Sequence, residues 1–281
     1  EIGAGTRCAS LGVDAIKIAA LDYMSSFFVN FPSQIVETEN RLLYEPIESP
    51  YAKRIKGINT MYERVSEAVS STIKSGVFPI VLAGDHSTAG GTIAGLKMAK
   101  PKQELGVIWV DAHADLHTPY TTPSGNMHGM PLATALAEDN IENQMHHPDE
   151  QTIKYWDSLK KIGKVHPKIK PENIVYIALR DYEKEEEAII KIDKSNKFSF
   201  PFNSFVATKR CCERFCGAFN KSSFEVSNNN FLPAFSVTKE ATMHVIKIKI
   251  IVPFTSSRKK IMQSNATIVL NNRLTILYNF L

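Results

Sequence analysis

Three residues with chemically active side chains follow a short apolar run near the middle of the chain. The run LGVIWV at 105–110 leads directly into Asp111, His113 and Asp115. Because alternate residues of an extended segment point to the same side, these three side chains can converge. Two carboxylates and an imidazole suit a divalent first-row metal, and the excess of oxygen over sulfur ligands favours manganese over zinc. The pattern therefore predicts a metal site.

A second apolar run ends in the same kind of residue. FPIVLAG at 78–84 is followed by Asp85 and His86. Open α/β sheets place their chemistry at the carboxyl ends of the strands, so His86 is expected to join the three residues after the first run. Asp85 is interpreted as structural, and Trp109 as a core residue.

The elements that must position these residues alternate along the chain. Apolar residues at spacing four between 58 and 75 are typical of an amphipathic helix, which Gly76 ends. The predicted strands are 78–84, 105–110 and 172–179, and the predicted helices are 58–75, 87–99 and 183–192. This alternation predicts an α/β fold, a three-layer α/β/α arrangement with a mainly parallel sheet. The runs 78–84 and 105–110 are expected to be adjacent parallel strands.

The two motifs carry a family resemblance. LAGDHSTAGGTIAG and GVIWVDAHADLHTPYTTPSGNMHGMPLATAL resemble the ureohydrolase (arginase/agmatinase) family, closest to bacterial arginases, over residues 3–193. The resemblance implies an arginase-like fold, two Mn²⁺ per subunit, and hydrolysis of the guanidino group of L-arginine to L-ornithine and urea. It also implies a homo-oligomer, a trimer or a hexamer. His86, Asp111 and Asp115 match ligands of one ion; His113 with Asp111 matches ligands of the other.

The same resemblance assigns further roles. It places Asp115 and His128 among the catalytic residues, with His128 as the group that transfers a proton. The substrate-binding residues that it implies are His117, Ser124, Asn126 and Glu183. His117 stands where many arginases have Asn, and Glu183 stands where relatives often have Asp. A loop that grips a carboxylate favours arginine over agmatine, which has none.

The last part of the chain has a different composition. Residues 194–281 carry 13 Lys and Arg against three Glu and no Asp. The family's second metal motif, a DxD sequence that follows the segment matching ALRD at 178–181, therefore cannot lie there. We divide the chain into an incomplete arginase-like domain at 1–193 and an unrelated basic tail at 194–281, with the family's C-terminal strands missing or replaced. The tail is either a frameshifted reading or a genuine replacement that gives a non-catalytic relative. A strand at 244–254 and a hairpin around Asn271-Asn272 are predicted within it.

Three classes of function compete. The first is an arginase-type hydrolase, impaired because the second metal site is incomplete. The second is an inactive arginase-fold protein that binds one metal or a partner. Binding of nucleic acid through the basic tail is disfavoured, because its basic and aromatic residues form no known binding motif. No apolar run reaches the roughly 20 residues of a membrane span, and the four cysteines show no disulfide spacing. We therefore expect a cytoplasmic protein with no nucleic-acid or membrane partner.

Overall fold

The computed structural model describes residues 1–190 and four later strands. The predicted domain boundary at residue 193 lies outside the described residues. Within the described part, no helix is both long and apolar enough to cross a bilayer. The chain forms two compact units, and the helices and the larger sheet belong to the first of them.

Seven α-helices lie in the described part. Three of them have clear sequence causes: α3 is amphipathic, α5 begins with a proline, and the Asp149 side chain caps α6 by accepting a hydrogen bond from Thr152 N at 2.7 Å. The helices are α1 (Leu11–Asp22), α2 (Phe27–Asn30), α3 (Ile55–Lys74), α4 (Thr88–Ala99), α5 (Pro131–Leu136), α6 (Glu150–Lys161) and α7 (Lys184–Ile190). The helices predicted at 58–75, 87–99 and 183–192 are thus confirmed as α3, α4 and α7.

The larger sheet is mixed. Its strands are β1 (Leu105–Val110), β2 (Ile174–Ile177), β3 (Phe205–Ala207) and β4 (Ile250–Pro253), in the order β3-β2-β1-β4. The β1–β2 pair is parallel, with Val107 opposite Ile174. Strands β3 and β4 join the two edges antiparallel. The α/β class and the strands at 105–110 and 172–179 are confirmed.

Two further strands form the smaller sheet, which lies in the second unit. Strands β5 (Ala266–Leu270) and β6 (Leu274–Tyr278) pair antiparallel, with Leu270 opposite Leu274. The two antiparallel strands of the hairpin predicted around Asn271-Asn272 are therefore observed. The strand predicted at 244–254 is confirmed at the residues of β4.

The strand predicted at 78–84 is wrong. Residues 77–83 have no regular secondary structure, and the two sheets of described strands do not include them. These residues were expected to pair with β1, but both edges of β1 are taken by other strands. One edge of β1 pairs with β2, and its other edge pairs with β4 over Leu105–Ile108. An apolar composition indicates that a segment suits burial, but it does not determine which partner takes the edge of the neighbouring strand.

The core lies between the helices and one face of the sheet. Trp109 and Val107 of β1 are fully buried, and they pack with Ile93 of α4 and with Val65 and Val69 of α3. The apolar stripe predicted for α3 is therefore the buried face of that helix. On β1, the next residue, Val110, is 42% exposed. α3 and α4 thus pack against the face of β1 that carries Trp109. Asp111 follows Trp109 by two residues.

The contact between α3 and α4 depends on a small residue. A Cβ added to Gly95 would lie 2.6 Å from the Ser66 carbonyl oxygen and 2.8 Å from Val69 Cβ. We expect Gly95→Ala to lower the free energy of unfolding by about 1–3 kcal/mol, because the two helices must separate. The measurement is equilibrium unfolding in urea.

Gly12 in α1 provides the matched control. A Cβ there has nothing within 4 Å, so Gly12→Ala should raise stability by about 0.5–1 kcal/mol through helix propensity. Equal shifts for the two variants would show that helix packing at Gly95 is not the cause.

Candidate metal centre

Three of the four predicted ligands meet at the carboxyl end of β1. His86 Nδ1 lies 2.8 Å from Asp111 Oδ2 and 2.6 Å from Asp115 Oδ2. All three side chains are buried. Their ligand atoms lie within 4.8 Å of one another, as a mononuclear metal site requires. The convergence predicted for His86, Asp111 and Asp115 is observed.

The backbone around these residues is fixed at several points. Asp111 N donates a hydrogen bond to Ile177 O at 3.1 Å, which extends the β1–β2 ladder by one residue. Tyr176 of β2 donates its hydroxyl to Ala114 O at 3.0 Å. Asp115 adopts a left-handed conformation with φ of 53°, which is uncommon outside glycine. The turn after β1 is thus set by the neighbouring strand.

Trp109 supports His86 directly. The two rings stack with centroids 4.2 Å apart and planes at 22°. Burial alone would lower the pKa of His86, but the nearby carboxylates of Asp111 and Asp115 outweigh it and raise the pKa. The core interpretation of Trp109 is confirmed, and the residue also holds the imidazole plane.

The donor set fits a divalent cation. Asp115 Oδ2 and His86 Nδ1 are buried and close together, yet neither has a hydrogen bond of proper geometry within the described residues. Two buried carboxylates and one imidazole aimed at a common point are costly without a positive charge between them. Carboxylate oxygen with imidazole nitrogen matches the preference of manganese better than that of a thiophilic metal.

His113 does not join this group. Its side chain is 51% exposed, with Nδ1 3.4 Å from Asp111 Oδ1 and Nε2 3.4 Å from Asp181 Oδ2. The structure therefore brings together three of the four residues that were predicted to converge. Asp111 directs one oxygen toward each histidine, which is the arrangement a bridging carboxylate needs. Asp181 was not predicted from the sequence.

The predicted carboxylate-binding loop lies beside Pro50. Gly125 has φ of 73°, and a Cβ there would overlap the Pro50 carbonyl, so only glycine fits. Ser124 Oγ accepts a hydrogen bond from Asn126 N at 3.2 Å. His128 follows in a short 3-10 turn, with Nδ1 3.3 Å from Gly3 O. The hydrogen bond places Ser124 and Asn126 together.

The two other predicted substrate residues touch each other. His117 Nε2 lies 2.9 Å from Glu183 Oε2, and His117 Nδ1 lies 3.3 Å from Thr121 Oγ1. Both ring nitrogens of His117 are thus engaged by the protein. The pair joins the loop after β1 to the residue that precedes α7.

Sequence reasoning missed Glu186, the third member of this group. It is buried, it accepts a hydrogen bond from Leu116 N at 2.9 Å, and its Oε2 lies 3.6 Å from His117 Nε2. Burial raises the pKa of Glu186 to about 8, and the neighbouring Glu183 adds to that effect. Burial opposes a low pKa for Glu183, but its hydrogen bonds with Glu186 and His117 prevail and lower it. The available signal was the spacing of three between Glu183, directly before α7, and Glu186 in its first turn.

The structural interpretation of Asp85 agrees with its contacts. Its carboxylate accepts hydrogen bonds from the backbone amides of Gly3 at 2.9 Å, Ala4 at 3.1 Å and Ser87 at 2.9 Å. These bonds join the first residues of the chain to the start of α4. They also fix the backbone on both sides of His86.

Comparison with known proteins shows the family. The model of the Arginase family matches residues 4–201. The arginase of Brevibacillus brevis is 37% identical, over 68% of this chain and 58% of its own length. The arginase of Bacillus caldovelox is 42% identical over 50% of this chain and 40% of its own length. A crystal structure of arginase from Bacillus subtilis has a TM-score of 0.49 and 31% identity, covering 76% of this chain and 62% of that one.

The matched region contains every residue of the candidate centre, and the chain belongs to the arginase family. It spans less than two thirds of the length of these relatives. The resemblance identified from the two motifs is confirmed, including its partial coverage.

The ligand group can be tested by metal binding. We expect Asp111→Ala to abolish measurable Mn²⁺ binding, because it removes one of the two carboxylates that contact His86 and leaves two ligands. Isothermal titration with MnCl₂ on the folded variant gives the result. The control is Asp14→Ala in α1, whose side chain is 72% exposed, and it should bind as the unaltered chain does. Undiminished binding by Asp111→Ala would refute the site.

The raised pKa of Glu186 predicts a pH dependence of stability. A folded-state pKa of about 8 lies above the ordinary value of 4.5, so the stabilisation is complete below about pH 4.5 and is lost as pH rises through about 8. We expect Glu186→Gln to flatten the fall in melting temperature between about pH 5 and about pH 8. His86, whose pKa is also raised, contributes equally to both proteins.

The exposed glutamate Glu67 of α3 supplies the control for that experiment. Glu67→Gln should leave the pH profile of the melting temperature unchanged. If the Glu186→Gln profile runs parallel to that of the unaltered chain, the buried carboxyl is not protonated in the folded state.

Proposed function

We propose that the chain carries the active-site half of a manganese-dependent hydrolase that converts L-arginine to L-ornithine and urea, and that this activity is impaired here. The observation that carries the proposal is the convergence of His86, Asp111 and Asp115 at the end of β1, in a chain of the arginase family. A second group in the described residues, formed by His117, Glu183 and Glu186, also brings an imidazole and carboxylates together, but its Glu183 is exposed, whereas all three members of the first group are buried.

Mn²⁺ would be held at His86, Asp111 and Asp115, with Asp111 shared toward a second ion at His113. When bound, manganese supplies the Lewis acidity that makes water a nucleophile at neutral pH. The protein's part is to fix the ligands before binding. Trp109 orients the His86 ring, and the ladder bond from Asp111 N to Ile177 O fixes the start of the turn.

His128 is proposed to move the proton. A proton on Nδ1 donated to Gly3 O leaves Nε2 as the acceptor of a neutral imidazole. Nε2 can then accept a proton during attack on the guanidino carbon and return it to the departing amine of ornithine. Asp115 belongs to the catalytic set through its position among the ligands.

Ser124, Asn126, His117 and Glu183 are proposed to hold the amino-acid end of the substrate. The lowered pKa of Glu183 keeps a negative charge available for the α-ammonium group. With both ring nitrogens of His117 engaged, this residue supports Glu183 instead of donating to the substrate carboxylate. Ser124 and Asn126 therefore carry the recognition that favours arginine over agmatine.

The second candidate function is an inactive arginase-fold protein that binds one metal or a partner. The observation that favours it is His113, whose side chain is half exposed and lies outside the ligand group. We further propose the division into an arginase-like domain at 1–193 and an unrelated tail at 194–281, a homo-oligomeric state (trimer or hexamer), a cytoplasmic location, and no nucleic-acid or membrane partner.

Urea release separates the two candidates. We expect slow release from L-arginine at saturating Mn²⁺, because a misplacement of about 1 Å at the reacting atoms can cost on the order of a hundredfold in rate. Undetectable release would instead favour the inactive relative. A colorimetric urea assay measures the rate against a metal-free blank. The matched variant is His128→Asn, which should remove any rate above that blank. Rapid turnover with two Mn²⁺ per chain would show that the second site is complete.

A further inference from the structure

The side chain of His146 contacts the loop that carries Ser124 and Asn126. This loop, residues 122–126, is called the carboxylate-binding loop below. His146 Nε2 lies 2.8 Å from the backbone oxygen of Thr122, the first residue of the loop. Because a carbonyl oxygen can only accept a hydrogen bond, Nε2 carries the proton and donates it. The imidazole therefore restrains the backbone where the loop begins.

The same imidazole stacks on a residue from an earlier segment of the chain. The rings of His146 and Tyr51 have centroids 4.3 Å apart and planes at 11°. His146 N donates a hydrogen bond to Tyr120 O at 3.0 Å, so both the main chain and the side chain of the histidine are fixed. His146 thus joins the carboxylate-binding loop to the segment that carries Tyr51.

That segment also contacts the loop directly. Lys53 N donates a hydrogen bond to Gly125 O at 2.8 Å. Within the loop, Gly125 N donates to Thr122 Oγ1 at 2.9 Å. The loop is therefore restrained at Gly125 by Lys53 and at Thr122 by His146, and the stack on Tyr51 links these two contacts.

Restraint of the backbone matters because Ser124 projects from the loop into solvent. Its side chain is exposed, so packing alone does not orient the hydroxyl. Two groups bind one carboxylate well only if both are held in fitting positions before the ligand arrives. The relative positions of Ser124 and Asn126 therefore depend on the backbone between them, which the contacts at Thr122 and Gly125 hold.

We propose that His146 is a positioning residue for the carboxylate-binding loop, and that its hydrogen bond to Thr122 O makes the site selective for ligands with an α-carboxylate. The inference rests on the proposed function, in which Ser124 and Asn126 bind that carboxylate. Selectivity is a difference between two affinities. Loss of the restraint should therefore weaken only the ligand whose carboxylate the loop holds.

The test compares two ligands that differ only in the carboxylate. L-Ornithine carries it and 1,4-diaminobutane lacks it, and neither has a guanidino group that can be hydrolysed. Isothermal titration of the full chain in MnCl₂ gives both Kd values. We expect the unaltered chain to prefer L-ornithine. His146→Phe keeps an aromatic ring beside Tyr51 but loses the donor, and it should raise the Kd for L-ornithine about tenfold, as a misaligned hydrogen bond to a charged group does. The Kd for the diamine should not change.

Three further variants complete the design. His146→Gln has an amide that can donate to Thr122 O, and it should restore part of the affinity for L-ornithine. Tyr51→Leu removes the stacked ring and should raise the same Kd, and it decides the question if the His146→Phe chain does not fold. The control is His147→Phe, at an exposed residue whose Nδ1 lies 3.0 Å from Gln144 Nε2. It should leave both Kd values unchanged.

The ratio of the two Kd values distinguishes the possible failures. If the unaltered chain prefers L-ornithine and His146→Phe keeps the same ratio, whether both Kd values rise or neither does, the inference is wrong and the proposed function stands. If the unaltered chain does not prefer L-ornithine, the proposed carboxylate recognition is wrong and so is the inference. The unaltered chain thus tests the proposed function, and the variant tests the role of His146.

Discussion

The burial of two carboxylates beside one imidazole is the constraint on which the rest of the site depends. Asp111 and Asp115 place oxygens 2.8 Å and 2.6 Å from the same nitrogen of His86, and all three side chains are buried. Such an arrangement is held only if the surrounding structure fixes it. The ladder bond at Asp111, the stacked Trp109 and the hydrogen bonds to Asp85 provide that restraint. The architecture around β1 therefore holds the ligands in place before any cation binds.

The close packing of α3 and α4 against the sheet helps to fix the positions of these ligands. α3 and α4 approach at Gly95, where even one methyl group would meet the backbone of Ser66. α4 begins two residues after His86. The packing of α4 against β1 therefore determines where the His86 imidazole lies relative to the end of β1. On the neighbouring strand β2, Ile177 and Tyr176 form hydrogen bonds with the turn after β1. The metal ligands come from the turn before α4 and the turn after β1. The packing of α4, β1 and β2 determines the distances between them.

Sequence patterns predicted the elements whose partners are local. The stripe on α3, the small-residue helix α4 and the run at β1 each define their own buried side, and His86 with Asp111 and Asp115 followed from strand ends. The strand at 78–84 failed because pairing depends on residues far along the chain. Glu186 was missed because a glutamate in the first turn of a helix is ordinarily solvated. Its burial results from its contacts with Leu116 and His117, and Leu116 lies 70 residues away in the chain.

His113 differs from the three converging ligands in how it is held. Its side chain is 51% exposed, and its two ring nitrogens lie 3.4 Å from Asp111 and from the exposed Asp181. Parallel strands bring their carboxyl ends to the same edge of a sheet, and the segment after β2 is tied to the turn after β1 because Asp181 N donates a hydrogen bond to Ala112 O at 2.9 Å. The position of His113 therefore depends on this exposed contact between two loops, whereas β1, β2 and α4 define the ligand group of His86, Asp111 and Asp115.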